Sequence, residues 1–260
     1  MSSINSISII GSGNVASHLG ETFKNKGLHI DLVYNHSIEN GKILATQLNC
    51  QFTDDASKIT LDSDLYLIAL ADKHIEDTLC KTNFTNQLIV HTSGSFDSTK
   101  LEQFSQRWGC FYPMQTFKKK QAVNLKGSSI FIESKSKEDL AQLRKLCQLI
   151  NCNNHILNST QRKQLHIAAI ATNNFTYHLY SHIQQYCKKY NLPYSCLEPL
   201  LKETLKKIDL QEPFTHQTGP AERNEKQTIE NHLKLLANDK YLAEIYSLFS
   251  KQITDKHNEL

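Results

Sequence analysis

Residues 7–16, ISIIGSGNVA, constrain this chain more than any other segment. An apolar, β-branched run breaks there into Gly11, Gly13 and Ala16, a G-x-G-x-x-A pattern. In that pattern the first glycine allows a tight turn out of a strand and the second lets backbone N–H groups approach a pyrophosphate. The small third residue lets the next helix pack closely on the strand. The anion then rests on the helix N-terminus, where unpaired N–H groups and the macrodipole favour negative charge. The surroundings fit: Ile7, Ile9 and Ile10 precede the turn, and Val15, Leu19 and Phe23 follow at helical spacing before Gly27. A dinucleotide site is expected at Gly11, Gly13, Asn14, Val15 and Ala16.

Which dinucleotide depends on the next strand, read over residues 29–34. At its tip, where an NAD enzyme places an Asp or Glu against the ribose hydroxyls, stand Asn35, His36 and Ser37. A carboxylate would repel a 2′-phosphate, whereas these side chains can donate hydrogen bonds to it, so NADP is favoured over NAD.

The 260 residues, 39% of them hydrophobic and with a formal charge of +3, suit a soluble chain of two small domains. The compact basic run Lys118-Lys119-Lys120 lacks interleaved aromatics and reads as a solvated loop, not a nucleic-acid patch. Seven cysteines, odd in number and without a C-x-x-C pair, read as reduced thiols of a cytoplasmic protein. No metal site, signal peptide or membrane span is expected.

Strand-like and helix-like stretches alternate to about residue 157, the pattern of a parallel sheet with helices on both faces. Further strands are read near residues 50–53, 64–70, 87–91, 109–112, 128–133 and 154–157, with helices over 38–48 and 137–150. From Ser159 the character changes: one unbroken helix is expected to Tyr190, then helices over 195–208, 220–237 and 240–254. The expected fold class is α/β, a Rossmann-type parallel sheet domain over 1–157 followed by an all-helical domain over 158–260. A polar loop from Leu210 to Gly219 could lie over the cleft.

Ligands of such sheets bind beyond the carboxyl ends of the strands. That selects Leu70-Ala71-Asp72, the turn His91-Thr92-Ser93-Gly94-Ser95 and the segment YPMQTF from Tyr112. Leu70, Ala71 and Ser93 are candidate cofactor contacts. His91 is either a proton donor or the holder of its loop. A serine hydrolase built on HTSGS lacks the G-x-S-x-G elbow and a triad order. On the long helix, at about 100° per residue, His166, Ile170, Asn173, Tyr177 and Ser181 form one stripe flanked by Asn174. Two adjacent asparagines inside a helix are locally unfavourable and point to a tertiary or functional contact. In Thr218-Gly219-Pro220-Ala221-Glu222-Arg223 the proline suits a helix start. Arg223 in that first turn would oppose the dipole unless it served an anion or carboxylate.

Together GSGNVA, HTSGS, YPMQTF, HIAAIATNN from His166, TGPAER from Thr218, and His232 resemble an uncharacterised Rossmann-like family whose C-terminal half is a helical domain of unknown function. That family is distantly related to pyrroline-5-carboxylate reductase and to the 6-phosphogluconate and 3-hydroxyisobutyrate dehydrogenases. The resemblance implies an NADP-dependent oxidoreductase that forms homodimers through the helical domain. It matches Asn35-His36-Ser37 to a segment that usually reads Asn or Ser, then Arg, then Ser or Thr, so His36 departs from it. It matches His166 and Asn174 to the Lys and Asn that flank the nicotinamide in the dehydrogenases. The lysine is absent, and Lys163 lies about 60° away around the helix. Glu225 stands where the family usually has Asp.

The reading is hydride transfer between NADP and a small polar carbonyl, imine or hydroxy substrate, with the nicotinamide directed to the cleft between the domains. His166 would move the proton, Asn174 orient the carbonyl or imine, and Arg223 pair with a carboxylate. The alternative is a non-enzymatic NADP(H)-binding sensor or regulator. No nucleic-acid or membrane partner is expected.

Overall fold

Eight strands among the described residues form one sheet, and the computed structural model describes residues 3–118, 123–208 and 213–259. Strand β1 (Ser6–Ile10) runs into helix α1 (Asn14–Asn25), followed by β2 (His29–Tyr34), α2 (Ile38–Leu48) and β3 (Gln51–Thr53). Next come β4 (Leu65–Ile68), the short α3 (Ile75–Leu79), β5 (Leu88–His91) and β6 (Arg107–Pro113). Strand β7 (Ser129–Ser134), α4 (Lys137–Leu149) and β8 (Asn153–Ile156) complete the sheet, whose order is β3-β2-β1-β4-β5-β6-β7-β8.

The central strands are buried on both faces, as their unbroken apolar runs require. Side chains alternate between two cores. Ile7, Ile9, Leu65, Leu67, Leu88 and Val90 pack on one face with Leu19 and Phe23 of α1. Ile10, Tyr66, Ile68 and Ile89 pack on the other with Ile75 and Leu79 of α3.

One pairing departs from the expected all-parallel sheet: β7 runs antiparallel to β6, with Phe111 opposite Ile132. A parallel return needs a crossover, usually a helix. The described residues between β6 and β7 contain none, so the chain reverses.

The first of two compact units spans Met1–Ala169 and the second Ile170–Leu260. The division falls inside the expected long helix, not before it at 157. That helix does run from Ser159 to Lys189, but not as one α-helix. Helix α5 (Ser159–Ala169) passes into a π-helical turn at Ile170–Phe175 before α6 (Thr176–Lys189). A π turn closes i→i+5 hydrogen bonds, so the 100° stripe drawn through His166, Asn173 and Tyr177 loses its phase at Ile170.

In the second unit α6 is followed by α7 (Glu198–Ile208), α8 (Lys226–Leu235) and α9 (Lys240–Glu259). Helix α8 begins six residues later than Pro220, because Gly219 (φ 108°) and Asn224 (φ 54°) hold residues 219–225 as a turn. Much of this unit's apolar surface is exposed: Phe175, Tyr177, Leu235 and Tyr241 each keep about two-thirds of theirs. No helix among the described residues is long and apolar enough to cross a membrane. Lys119 and Lys120 of the basic run, and residues 210–212 of the polar loop, lie outside the described residues.

Candidate active site

The turn from β1 into α1 is shaped by what a Cβ would strike. Gly11 has φ 119°, and a Cβ on it would lie 2.3 Å from the Ala69 carbonyl oxygen at the end of β4. Only glycine fits there. Gly13 caps α1 without a side-chain hydrogen bond to its first N–H groups, and a Cβ on Gly13 would point into open space. Backbone donors at a helix start, approached across a residue with no side chain, are what a pyrophosphate needs. Ala16 is fully buried against the sheet and Val15 is half-buried beside the same core. Leu70 is half-buried with its side chain near Gly11, and Ala71 is exposed. The residues present therefore fit a dinucleotide.

Two side chains expected to face the cofactor are engaged elsewhere. Asn14 Nδ2 donates to the Phe117 carbonyl at 2.8 Å, and His18 bonds the Lys118 carbonyl at 3.0 Å, so the segment after β6 is tied to α1. Asn35 Nδ2 donates to the Ser37 carbonyl at 2.8 Å, closing the turn into α2. His36 and Ser37 stay exposed at the strand tip.

His91 ends β5 fully buried. Its Nδ1 accepts the Ser93 N–H at 3.1 Å, which assigns the proton to Nε2, 2.8 Å from Ser98 Oγ. Burial, reinforced by the nearby Arg162 guanidinium, holds its pKa well below the ordinary histidine value. It is neutral with both nitrogens used, which is the loop-holding geometry and not that of a proton donor. Ser93 Oγ accepts the backbone N–H of Ser95 and of Phe96, each at 3.0 Å, so it closes the turn and is no activated nucleophile. Ser95 Oγ donates to Asp72 at 2.6 Å, joining the turns beyond β5 and β4.

Over the HTSGS turn sits His166. Its Nδ1 lies 2.9 Å from the Tyr112 hydroxyl at the end of β6, the rings edge to face. Gly94 makes this possible: a Cβ there would come within 2.6 Å of His166 Cγ and Nδ1 and 3.0 Å of Tyr112 Cζ. Burial raises the Tyr112 pKa, Cys110 adds to the rise and Arg162 opposes it. One proton is shared between Tyr112 and His166. Whichever atom donates it, the neutral pair keeps one further O–H or N–H to give.

Local sequence patterns did not mark what anchors α5. Arg162, one turn before His166, is 1% exposed. Its Nη1 meets Glu133 Oε2 of β7 at 2.6 Å, and its Nη2 donates to the Phe96 carbonyl at 2.6 Å and to Ser98 and Ser159 Oγ at 3.1 Å each. Glu133 also accepts from Ser98 and from Ser159, the first residue of α5. The available signal was Arg162 itself, i−4 from His166 on one helix face. Lys163 reaches Asp97 at 3.7 Å and points to the rim, not the histidine pair.

In the second unit, Asn174 is exposed on the π turn, its Oδ1 accepting from Asn173 Nδ2 at 3.2 Å. Arg223 is not in a first helical turn. It lies in the turn before α8, where its Nε donates to Glu225 at 2.7 Å, so the dipole conflict does not arise. His232 Nδ1 pairs with the Tyr246 hydroxyl at 2.7 Å.

Residues 6–94 match the family model described as NADP oxidoreductase coenzyme F420-dependent, and residues 128–253 match the domain of unknown function DUF2520. A Bacteroides fragilis protein of solved structure, bearing the name "putative NADP oxidoreductase", is 35% identical with a TM-score of 0.86 over 97% of this chain and 98% of its own. Two further solved structures share the fold. A reductive aminase from Aspergillus terreus, solved with NADPH4, cyclohexanone and allyl amine, is 14% identical over 99% of this chain and 95% of its own, TM-score 0.73. The 1-pyrroline-5-carboxylate reductase of Streptococcus pyogenes is 18% identical over 98% of both chains, TM-score 0.62. No curated protein matches the chain. A Rossmann-type nucleotide domain carrying a DUF2520 helical domain, 35% identical to the Bacteroides fragilis protein along nearly the whole of both chains, places this chain in that NADP oxidoreductase-like family.

Proposed function

We propose that this protein is an NADPH-dependent reductase of a small, polar carbonyl or imine compound. One observation carries the reading: within the first unit, the dinucleotide turn after β1 and a hydrogen-bonded His166–Tyr112 pair at the end of β6 stand at the carboxyl ends of parallel strands, with β4 and β5 between them. When bound, NADPH supplies a hydride to the substrate carbon. The chain's residues then have two tasks. Backbone N–H groups at Gly13 to Ala16 hold the pyrophosphate, and the His166–Tyr112 pair holds a proton for the substrate oxygen or nitrogen as the C=O or C=N bond is reduced. Because one proton is already shared between the two rings, loss of the other leaves the pair stabilised by that bond.

NADP is proposed over NAD because the β2 tip offers the exposed His36 and Ser37, on a turn that Asn35 closes, and no carboxylate. Asn174, and the terminal nitrogens of Arg223 oriented by Glu225, are proposed to meet the substrate carbonyl and a carboxylate. A homodimer through the helical unit is supported by the exposed Phe175, Tyr177, Leu235 and Tyr241, which association would remove from water. Free cysteines suit a cytoplasmic setting.

The test is consumption of NADPH with 1-pyrroline-5-carboxylate, and with cyclohexanone plus allyl amine, as probes. Histidine 166 is expected to be needed for turnover but not for cofactor affinity. The variant His166→Gln should lose about 100-fold in kcat, within the usual range for a general acid. Full activity in that variant removes His166 from the mechanism.

A further inference from the structure

We propose that buried Arg162, paired with half-buried Glu133, is the positioning element of the reaction centre, the pair fixing the rotation of α5 that brings His166 onto Tyr112 and setting the charge balance around both. The inference rests on the reading of His166 and Tyr112 as the proton donors.

The geometry reaches that conclusion in three steps. Arg162 and His166 are four residues apart on α5, so their side chains leave the same face about 6 Å apart along the axis. Arg162 is the fully buried one, clamped to β7 through Glu133, to the HTSGS turn through the Phe96 carbonyl and to the start of α5 through Ser159. A planar guanidinium reaching four acceptors fixes the helix in rotation as well as in depth, which a lysine's single ammonium cannot reproduce. His166 meanwhile has almost no freedom on the turn side, since its ring lies against the Gly94 backbone. A small roll of α5 would therefore either break the 2.9 Å contact with Tyr112 or drive the ring into the turn.

The pair also fixes the local charge. Tyr112 feels Cys110 from its own strand and Arg162 from α5 and is hydrogen-bonded to His166; Arg162 in turn meets Glu133 from β7 and neutral His91 from β5, while Asp97 pairs with Lys163. Burial drives the Cys110 thiol up to about 12, so it stays uncharged. The balance left is one guanidinium against one carboxylate. An uncompensated Arg162 would favour the Tyr112 phenolate.

Two variants separate the effects. Glu133→Gln keeps the shape and removes the charge. Glu133→Asp keeps the charge and shortens the reach. In the cofactor-free protein labelled with 13Cζ tyrosine, with Tyr112→Phe assigning the resonance, Glu133→Gln should lower the Tyr112 titration by about one unit. At an effective dielectric near 20, one unit is what a single uncompensated charge about 12 Å away supplies. Glu133→Asp should leave that titration in place. Both variants should lower kcat about tenfold or more with NADPH affinity within twofold, which a general loss of folding would not spare. An unshifted Tyr112 in folded Glu133→Gln, or wild-type kcat in both variants, overturns the inference. If Glu133→Gln does not fold, Arg162→Lys replaces it, and wild-type kcat there overturns the proposal equally. Failure of the functional reading is separately visible, because His166→Gln would then turn over like the wild type while the Tyr112 titration still decides the role of the pair.

Discussion

Gly94→Ala puts the site geometry to a quantitative test. The new methyl would lie 2.6 Å from His166 Cγ and Nδ1 and 3.0 Å from Tyr112 Cζ. Carbon contacts are comfortable only at about 3.5–4.0 Å, so the imidazole must move by roughly 1 Å. Cγ is the root of the ring and cannot swing aside as a flexible tip would. Overpacking of this kind costs about 1–3 kcal/mol, and losing the Tyr112–His166 hydrogen bond adds about 1 kcal/mol. The variant should therefore be about 2–4 kcal/mol less stable in urea unfolding, with its midpoint lowered and its slope unchanged. The decisive arm is the same substitution in a His166→Ala background. There the principal clash is gone, and Gly94→Ala should cost at least 1 kcal/mol less than it does in the wild type. Contacting residues routinely show coupling of that size. An equal cost in both backgrounds, within about 0.5 kcal/mol, would mean that Gly94 does not touch His166 in solution, and the active-site geometry would be wrong.

Gly11→Ala should abolish NADPH binding and destabilise the first unit, because its Cβ would meet a backbone carbonyl at 2.3 Å that cannot rotate away; calorimetry with retained affinity would contradict this. His91 yields a pH dependence with a definite sign. Its folded pKa is depressed well below 6.5, so below that pH the unfolded chain takes up a proton that the folded chain refuses, and stability is lost as pH falls. Relative to His91→Gln, the wild type should lose up to about 1.4 kcal/mol per pH unit below pH 6.5, measured by urea midpoints from pH 7 to 5. A slope shared by both proteins would show that His91 is charged when folded. A fluorophosphonate probe should leave Ser93 unlabelled, since its Oγ closes the turn by accepting two N–H groups; labelling would reopen hydrolase chemistry.

The parts of the fold legible in the sequence are those written in local periodicity. The strand–turn–helix around Gly11 and Gly13 and the apolar runs of β4 and β5 declare themselves because each residue's environment repeats along the chain. The reversal of β7 does not, since direction is settled by the connection and not by the strand's own side chains. The π turn at Ile170–Phe175 escapes for a related reason: a 100° template assumes the i→i+4 ladder that this turn replaces. In the site, His166 was legible as a polar residue on a helical stripe. Arg162, Glu133, Ser98 and Ser159 were not, because their contacts with one another join residues from 26 to 64 positions apart, apart from the one within α5. A buried arginine is recognisable only with its partners in view. Asn14 and Asn35 have the residue type suited to a cofactor contact, but the folded chain engages both amides with nearby backbone carbonyls.

The Gly11–Ala16 turn and the β2 tip are proposed to hold a phosphorylated nicotinamide dinucleotide. Calorimetric titration of the purified protein with NADPH, NADP, NADH and NAD decides this. The 2′-phosphorylated pair should bind at least tenfold tighter than the unphosphorylated pair, a difference of about 1.4 kcal/mol. Equal affinity for NADH would contradict the role of Asn35, His36 and Ser37, and no binding of any of the four would contradict the oxidoreductase reading itself.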